Sequence, residues 1–229
     1  MNNARFKSLD HMANETAAAL VQAAAGLAFQ LFQDKQFRRL AFFEELSQVE
    51  QDRIFNELVV AFIVLIMLGL EAPDLRVATE FRGFITDLNK KIPKAHLDYL
   101  RSSGVEAKHL RDWDKLISMR YEEYAKDRHE VRAAAMQIES SEKRLDLHDL
   151  SKIQALVPVQ TVAIGSHHHI CRGDTKGRDD LFKLILNSLS RFYAQLRVRL
   201  EGRKITPLTR ARVKVKRILR PKRTRRRKK

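Results

Sequence analysis

Apolar residues recur at helical spacing along most of the chain, and in one stretch polar residues drop out altogether. Residues 58–70, LVVAFIVLIMLGL, carry no charge. Leading into them, Phe37, Leu40, Ala41, Leu46, Val49 and Ile54 mark one face, while Glu44, Glu45, Gln48, Gln51 and Asp52 mark the other. The spacing predicts one long helix over 37–70, amphipathic at its start and apolar all round at its end, closed by Pro73. A helix that is apolar all round lies in a protein core or in lipid. A bilayer span needs about 20 apolar residues, and runs of about 10–14 are more often core. The run therefore predicts the buried centre of a bundle. Glu57 stands at its entrance. Burying an unpaired carboxylate is costly, so Glu57 is expected to be neutral, paired, or turned toward water on the helix's wet side.

Other segments repeat the helical period. Asn14 is placed to cap a first helix over 14–32, rich in small alanines. A third helix is predicted over 75–91, with Leu75, Ala78, Phe81, Ile85 and Leu88 on one face and Pro93 closing it. Short helical pieces follow on either side of the turn Ser102-Ser103-Gly104. Asp112 then opens a helix to about 144 through Trp113, Leu116, Ile117, Tyr121, Tyr124, Val131, Ala135 and Ile138. Its middle, 122–132, is charged with both signs and reads as a solvated face. Asp149 or Ser151 starts a further helix to about 170, kinked or broken at Pro158. Residues 165–177 read as irregular, and a last helix carries Leu181, Leu184, Ile185, Leu189, Phe192, Leu196 and Leu200 before Gly202. The expected fold is all-α: a helical bundle of about six helices over 1–204, with a basic, partly disordered C-terminal arm over 205–229.

Composition agrees with helices, since Gly (8) and Pro (5) are scarce among 229 residues. The single cysteine, Cys171, excludes an internal disulfide and fits a reducing, cytoplasmic setting. Residues 1–15 are polar, and no secretory signal is predicted.

Charge changes the picture more. The formal net charge is +16, and residues 197–229 hold 17 of the 44 Lys and Arg but one of the 28 Asp and Glu. The rest of the chain is neutral. From residue 205 onward there is no acid, and the cations are Arg210, Arg212, Lys214, Lys216, Arg217, Arg220, Lys222, Arg223, Arg225, Arg226, Arg227, Lys228 and Lys229. Thr206-Pro207 is a cap-like start, and Leu208, Ala211, Val215 and Leu219 fall near one helical face. Beyond Pro221 no apolar residue remains, so that end is expected to be disordered alone. Such a block attracts polyanions by counterion release, largely without reading sequence. It has no interleaved aromatics for base stacking. RNA or DNA is the expected partner. An anionic membrane is the alternative, with 17–32 and 58–70 in lipid and the basic segment on its surface.

Candidate chemistry is thin. His167 and Cys171 are i,i+4 and share a helical face, an imidazole and thiol pair suited to zinc or another transition metal. Further ligands would have to come from residues such as His129, His148 or Asp174. On that alternative the protein is a metal-dependent helical enzyme; otherwise no cofactor is expected. Glu106 and His109 form a lone Glu-x-x-His motif where a carboxylate-bridged metal pair needs two. The loop from Arg172 to Arg178 matches no phosphate-binding glycine motif. No catalytic residue is assigned, and a non-enzymatic role is favoured.

Overall fold

A computed structural model describes residues 8–142 and 144–202. Among the described residues there are seven α-helices and no strand: α1 (Leu9–Gln33), α2 (Lys35–Leu40), α3 (Gln48–Leu70), α4 (Arg82–Ser102), α5 (Ala107–Glu142), α6 (Leu147–Ile170) and α7 (Asp179–Leu200). Short 3-10 turns occupy Phe43–Glu45 and Thr79–Phe81. The protein is all-α, with seven helices in place of about six. The arm expected over 205–229 lies outside the described residues.

The apolar half of α3 is the centre. Every residue over 58–70 is buried, because α1, α4, α5, α6 and α7 all pack on this helix. Each fully buried Leu, Ile, Val or Phe contributes about 1.5–3 kcal/mol relative to exposure. The long, one-sided α1 shows its partners a face of Ala13, Ala17, Leu20, Val21, Ala24, Ala28 and Leu31. By length and composition both helices are apolar enough to cross a bilayer, yet 83% of the most apolar window of α3 is buried against 33% for α1. The all-round helix is wrapped by protein, and α1 is covered on one side.

The predicted helix over 37–70 is broken, because local hydrogen bonds outcompete continuation. Asp34 caps α2 by accepting from the Phe37 N–H at 2.9 Å, and Ser47 caps α3 by accepting from the Glu50 N–H. Between them Phe42 takes a left-handed conformation (φ 56°). Gln51 Nε2 then donates to the Phe43 and Leu46 carbonyls at 3.2 and 3.1 Å, which fixes the reversal. Phe37 and Phe43 turn inward, their rings meeting edge to face at 5.8 Å.

Other boundaries move for similar reasons. Ser8, not Asn14, caps α1 through the His11 N–H, and Asn14 lies inside the helix, donating to Asp10. Pro93 lies within α4 rather than ending it. The stripe Ile85, Leu88, Ile92 and His96 continues across the proline into the core, and that packing outweighs one lost backbone hydrogen bond. The short pieces expected after it are the end of α4 and the start of α5, which begins at Ala107, not Asp112. An Asp146–Asp149 capping box starts α6 earlier than expected, and Pro158 is buried inside it. The helix runs to Ile170, so most of the expected irregular stretch is confined to 171–178.

Glycines permit two close crossings. A Cβ on Gly165 of α6 would lie 2.1 Å from Tyr124 Cε1 of α5, and one on Gly69 of α3 would lie 2.8 Å from Tyr193 Cε2 of α7. Gly165→Ala is expected to destabilise the bundle by about 1–3 kcal/mol through overpacking, read as a lower midpoint in urea unfolding. The open Gly26 position, where a Cβ meets nothing within 4 Å, should tolerate alanine without loss.

His96 gives the fold a pH dependence. It is 1% exposed, its ring stands 5.1 Å from that of Trp113, and neither ring nitrogen has a hydrogen-bond partner. Burial pushes its pKa down from the ordinary 6.5 to about 4. The folded state therefore binds the proton less readily than the unfolded chain. The stabilisation is fully present above about pH 6.5 and is lost as pH falls toward 4, by about 3 kcal/mol in all. Denaturation curves between pH 7 and 4 should show this slope, and His96→Leu should flatten it.

Candidate functional site

Charged residues gather where α3, α5 and α6 meet, at the wet end of the apolar run. Glu57 is only 5% exposed. Arg120 of α5 donates to both its carboxylate oxygens, from Nε at 3.0 Å and Nη2 at 2.7 Å. The same guanidinium donates from Nη1 to Glu123 at 3.1 Å, and the other oxygen of Glu123 lies 2.7 Å from His169 Nε2. One turn before Glu57, Arg53 donates to the carbonyls of His169 and Ile170 at 2.8 and 3.1 Å. Those carbonyls belong to the C-terminal end of α6, where a cation is favoured. Glu50 accepts from Arg53 and Arg172, and the two arginines hold its pKa below the ordinary value, Arg53 first.

The network is a clasp between helices. Burial works against the charge on Arg120, yet hydrogen bonds and charge from Glu57 raise its pKa overall. Glu57 is thus paired and buried, and does not mark a wet face. Arg120 had a sequence signal: with Trp113, Ile117 and Tyr124 it falls on the apolar side of α5, where a lone cation needs a buried partner. Next to it Tyr124 is buried with its hydroxyl unpartnered, and burial raises its pKa well above 10, keeping it neutral.

The histidine cluster sits at the end of α6. The His167 ring lies 5.5 Å from that of Phe182, and its Nε2 is buried without a hydrogen-bond partner. Cys171 is buried at the helix C-cap, with Arg178 Nη1 3.9 Å from Sγ. Burial lowers the His167 pKa and raises that of Cys171, so both are held neutral near pH 7. Among the described residues no three His, Cys, Asp or Glu side chains gather into a group able to hold a metal ion. His129, His148 and Asp174 do not join the pair.

The thirteen arm cations, Arg210 to Lys229, lie outside the described residues. The described residues end at Gly202, and the last turn of the helix before it is anchored. Arg197 in the last turn of α7 donates to the Asp74 carboxylate and, at 2.8 Å, to the Asp74 carbonyl. It also donates to Glu201 from Nη2 at 2.6 Å and from Nε at 3.1 Å. This ties the end of α7 to the connection between α3 and α4. A left-handed Gly202 (φ 64°) follows the helix end. Beside the clasp, small residues on α6 (Ser151, Ala155) and α7 (Ser190, Ala194) leave a cleft of about 680 Å³, rimmed by Arg76 and Arg82.

No protein-family model, curated protein or solved structure matches the chain. The residues carry the reading alone.

Removing one partner of a buried pair leaves the other charge uncompensated, typically at a cost of about 3–5 kcal/mol. Glu57→Ala should approach the lower end of that range in urea unfolding, because Arg120 keeps Glu123. A Glu57→Leu, Arg120→Met double variant should recover most of the loss, since apolar replacements of similar size leave no buried charge unpaired.

Proposed function

We propose that the protein is a non-enzymatic, intracellular helical bundle that places a basic C-terminal arm on RNA or DNA. The observation that carries this is the segregation of charge. Residues before 197 are neutral, and the whole +16 belongs to 197–229. Two features of the bundle support it. Arg197 anchors the helix from which the arm departs. Asp74 and Glu201, the acids at the end of that helix, are already engaged by the same arginine.

Phosphate binding by such a block is electrostatic, so its affinity falls steeply with salt. The slope of log K against log salt is about −0.9 per phosphate neutralised on duplex DNA and about −0.7 on single strands. The test is nucleic-acid binding by the full chain and by a 1–204 truncation across a salt series. Full-length protein should bind with a slope of about −4 or steeper, and the truncation should lose most of that slope. Equal binding by the two would remove the arm from the function. Binding by the full chain to anionic vesicles but not to nucleic acid would move the partner to a membrane surface.

A further inference from the structure

The sharp reversal between α2 and α3 exposes a side chain that a compact fold would bury. In Ala41-Phe42-Phe43 the outer two residues are 2% and 3% exposed, while Phe42 between them is 46% exposed. Phe42 is also held at φ 56°, a left-handed conformation that favours glycine and disfavours a bulky side chain. The turn thus sets an aromatic ring at the surface, and against its own backbone preference.

Guanidinium groups lie against the rings of this turn. The Arg178 guanidinium lies 4.9 Å from the Phe42 ring centroid, and Arg38 stacks 4.5 Å from the neighbouring Phe43. Lys35, Arg38, Arg39 and Phe42 line one recess of about 750 Å³. No ion pair among the described residues involves Lys35, Arg38, Arg39 or Arg178. Glu44 and Glu45 line the recess too, so its net charge is small. A nearly neutral patch gains little from counterion release. Affinity here has to come from contact with the ring.

An exposed aromatic with arginine on it and cations beside it is the chemistry that holds an unpaired base, the ring stacking on the base and the cations meeting the flanking phosphates. We infer that Phe42, with Lys35, Arg39 and Arg178, forms a stacking site for single-stranded nucleic acid on the body of the protein. This rests on the nucleic-acid reading above and refines it. The arm supplies salt-sensitive affinity for any strand, and Phe42 supplies a preference for unpaired bases. In a duplex the base faces are already stacked, so the ring has nothing to cover.

The test is anisotropy with the full chain on 12-nucleotide single-stranded RNA and DNA and on the matching duplexes. Phe42→Ala and Phe42→Leu should each weaken single-strand binding by at least about fivefold, leave duplex binding unchanged, and keep the salt slope, because no charge is removed. Phe42→Trp should retain or tighten single-strand binding. Phe42→Gly relieves the left-handed backbone and should melt no lower than wild type, so its loss of single-strand binding would report the missing ring and not a misfolded turn. If the Phe42 variants bind both substrates like wild type, or lose both equally, the stacking site is overturned while arm-dependent binding stands. If the wild-type chain binds neither substrate, the nucleic-acid reading falls and the stacking site falls with it.

Discussion

A helix with no polar face cannot sit at a surface, and the architecture follows from covering residues 58–70 on every side. A helix with its side chains is roughly 10–12 Å across, so a single neighbour shields only part of its circumference. Five others, α1, α4, α5, α6 and α7, pack around α3. Small side chains set how near they come: the alanine face of α1, Gly69 beneath Tyr193, and Gly165 beneath Tyr124. Glu57 is the one charged residue among the buried, described residues of α3, and a single guanidinium, Arg120 of α5, donates to both its oxygens. That bond has direction where apolar packing has little, and it joins α5 to α3 at one defined point.

The same constraint explains what was legible in the sequence. Fold class and the central helix could be read because a period of 3.6 and an uncharged run are local patterns. The last helix was read nearly residue by residue, since its stripe and its glycine stop are local too. Prolines misled. Pro93 and Pro158 each look like an end, yet each lies in a helix whose apolar stripe continues past it, and distant packing decides the outcome. The break over 41–47 was missed for the opposite reason. Its signals, Asp34 and Ser47 as caps and Gln51 as a brace, are short polar side chains within an apolar periodicity that runs straight through them. The Glu57–Arg120 pair spans 63 residues in sequence, and no local pattern gives a pairing. The hint was each residue's place on a face otherwise apolar.

The candidate sites divide along the same line. His167 and Cys171 come to one helix end as their spacing implied, but their neighbours are a phenylalanine ring and a guanidinium. A guanidinium beside a thiol is no metal ligand, and burial keeps the Cys171 thiol protonated where a metal needs the thiolate. The neutral His167 imidazole has the ligating form, but no third ligand gathers beside the pair among the described residues. The arm is a reading of composition alone, and it lies outside the described residues. Phe42 was not legible, since nothing in an Ala-Phe-Phe run says which ring faces out.

A protein built this way separates two kinds of binding energy on the proposed reading. Residues before 197 carry as many Asp and Glu as Lys and Arg, so the body has no net charge of its own. Long-range attraction then belongs to the arm, where it responds to salt. Contact energy at a surface aromatic behaves differently: it is short-ranged, insensitive to salt, and requires an open base face. A left-handed phenylalanine makes sense in that division. The conformation lowers the stability of the turn, and burial of Phe43 and Phe37 offsets that loss at the adjacent positions. The ring is kept out of the core by neighbours that hold the core without it, and a side chain the fold does not need is free to serve a partner.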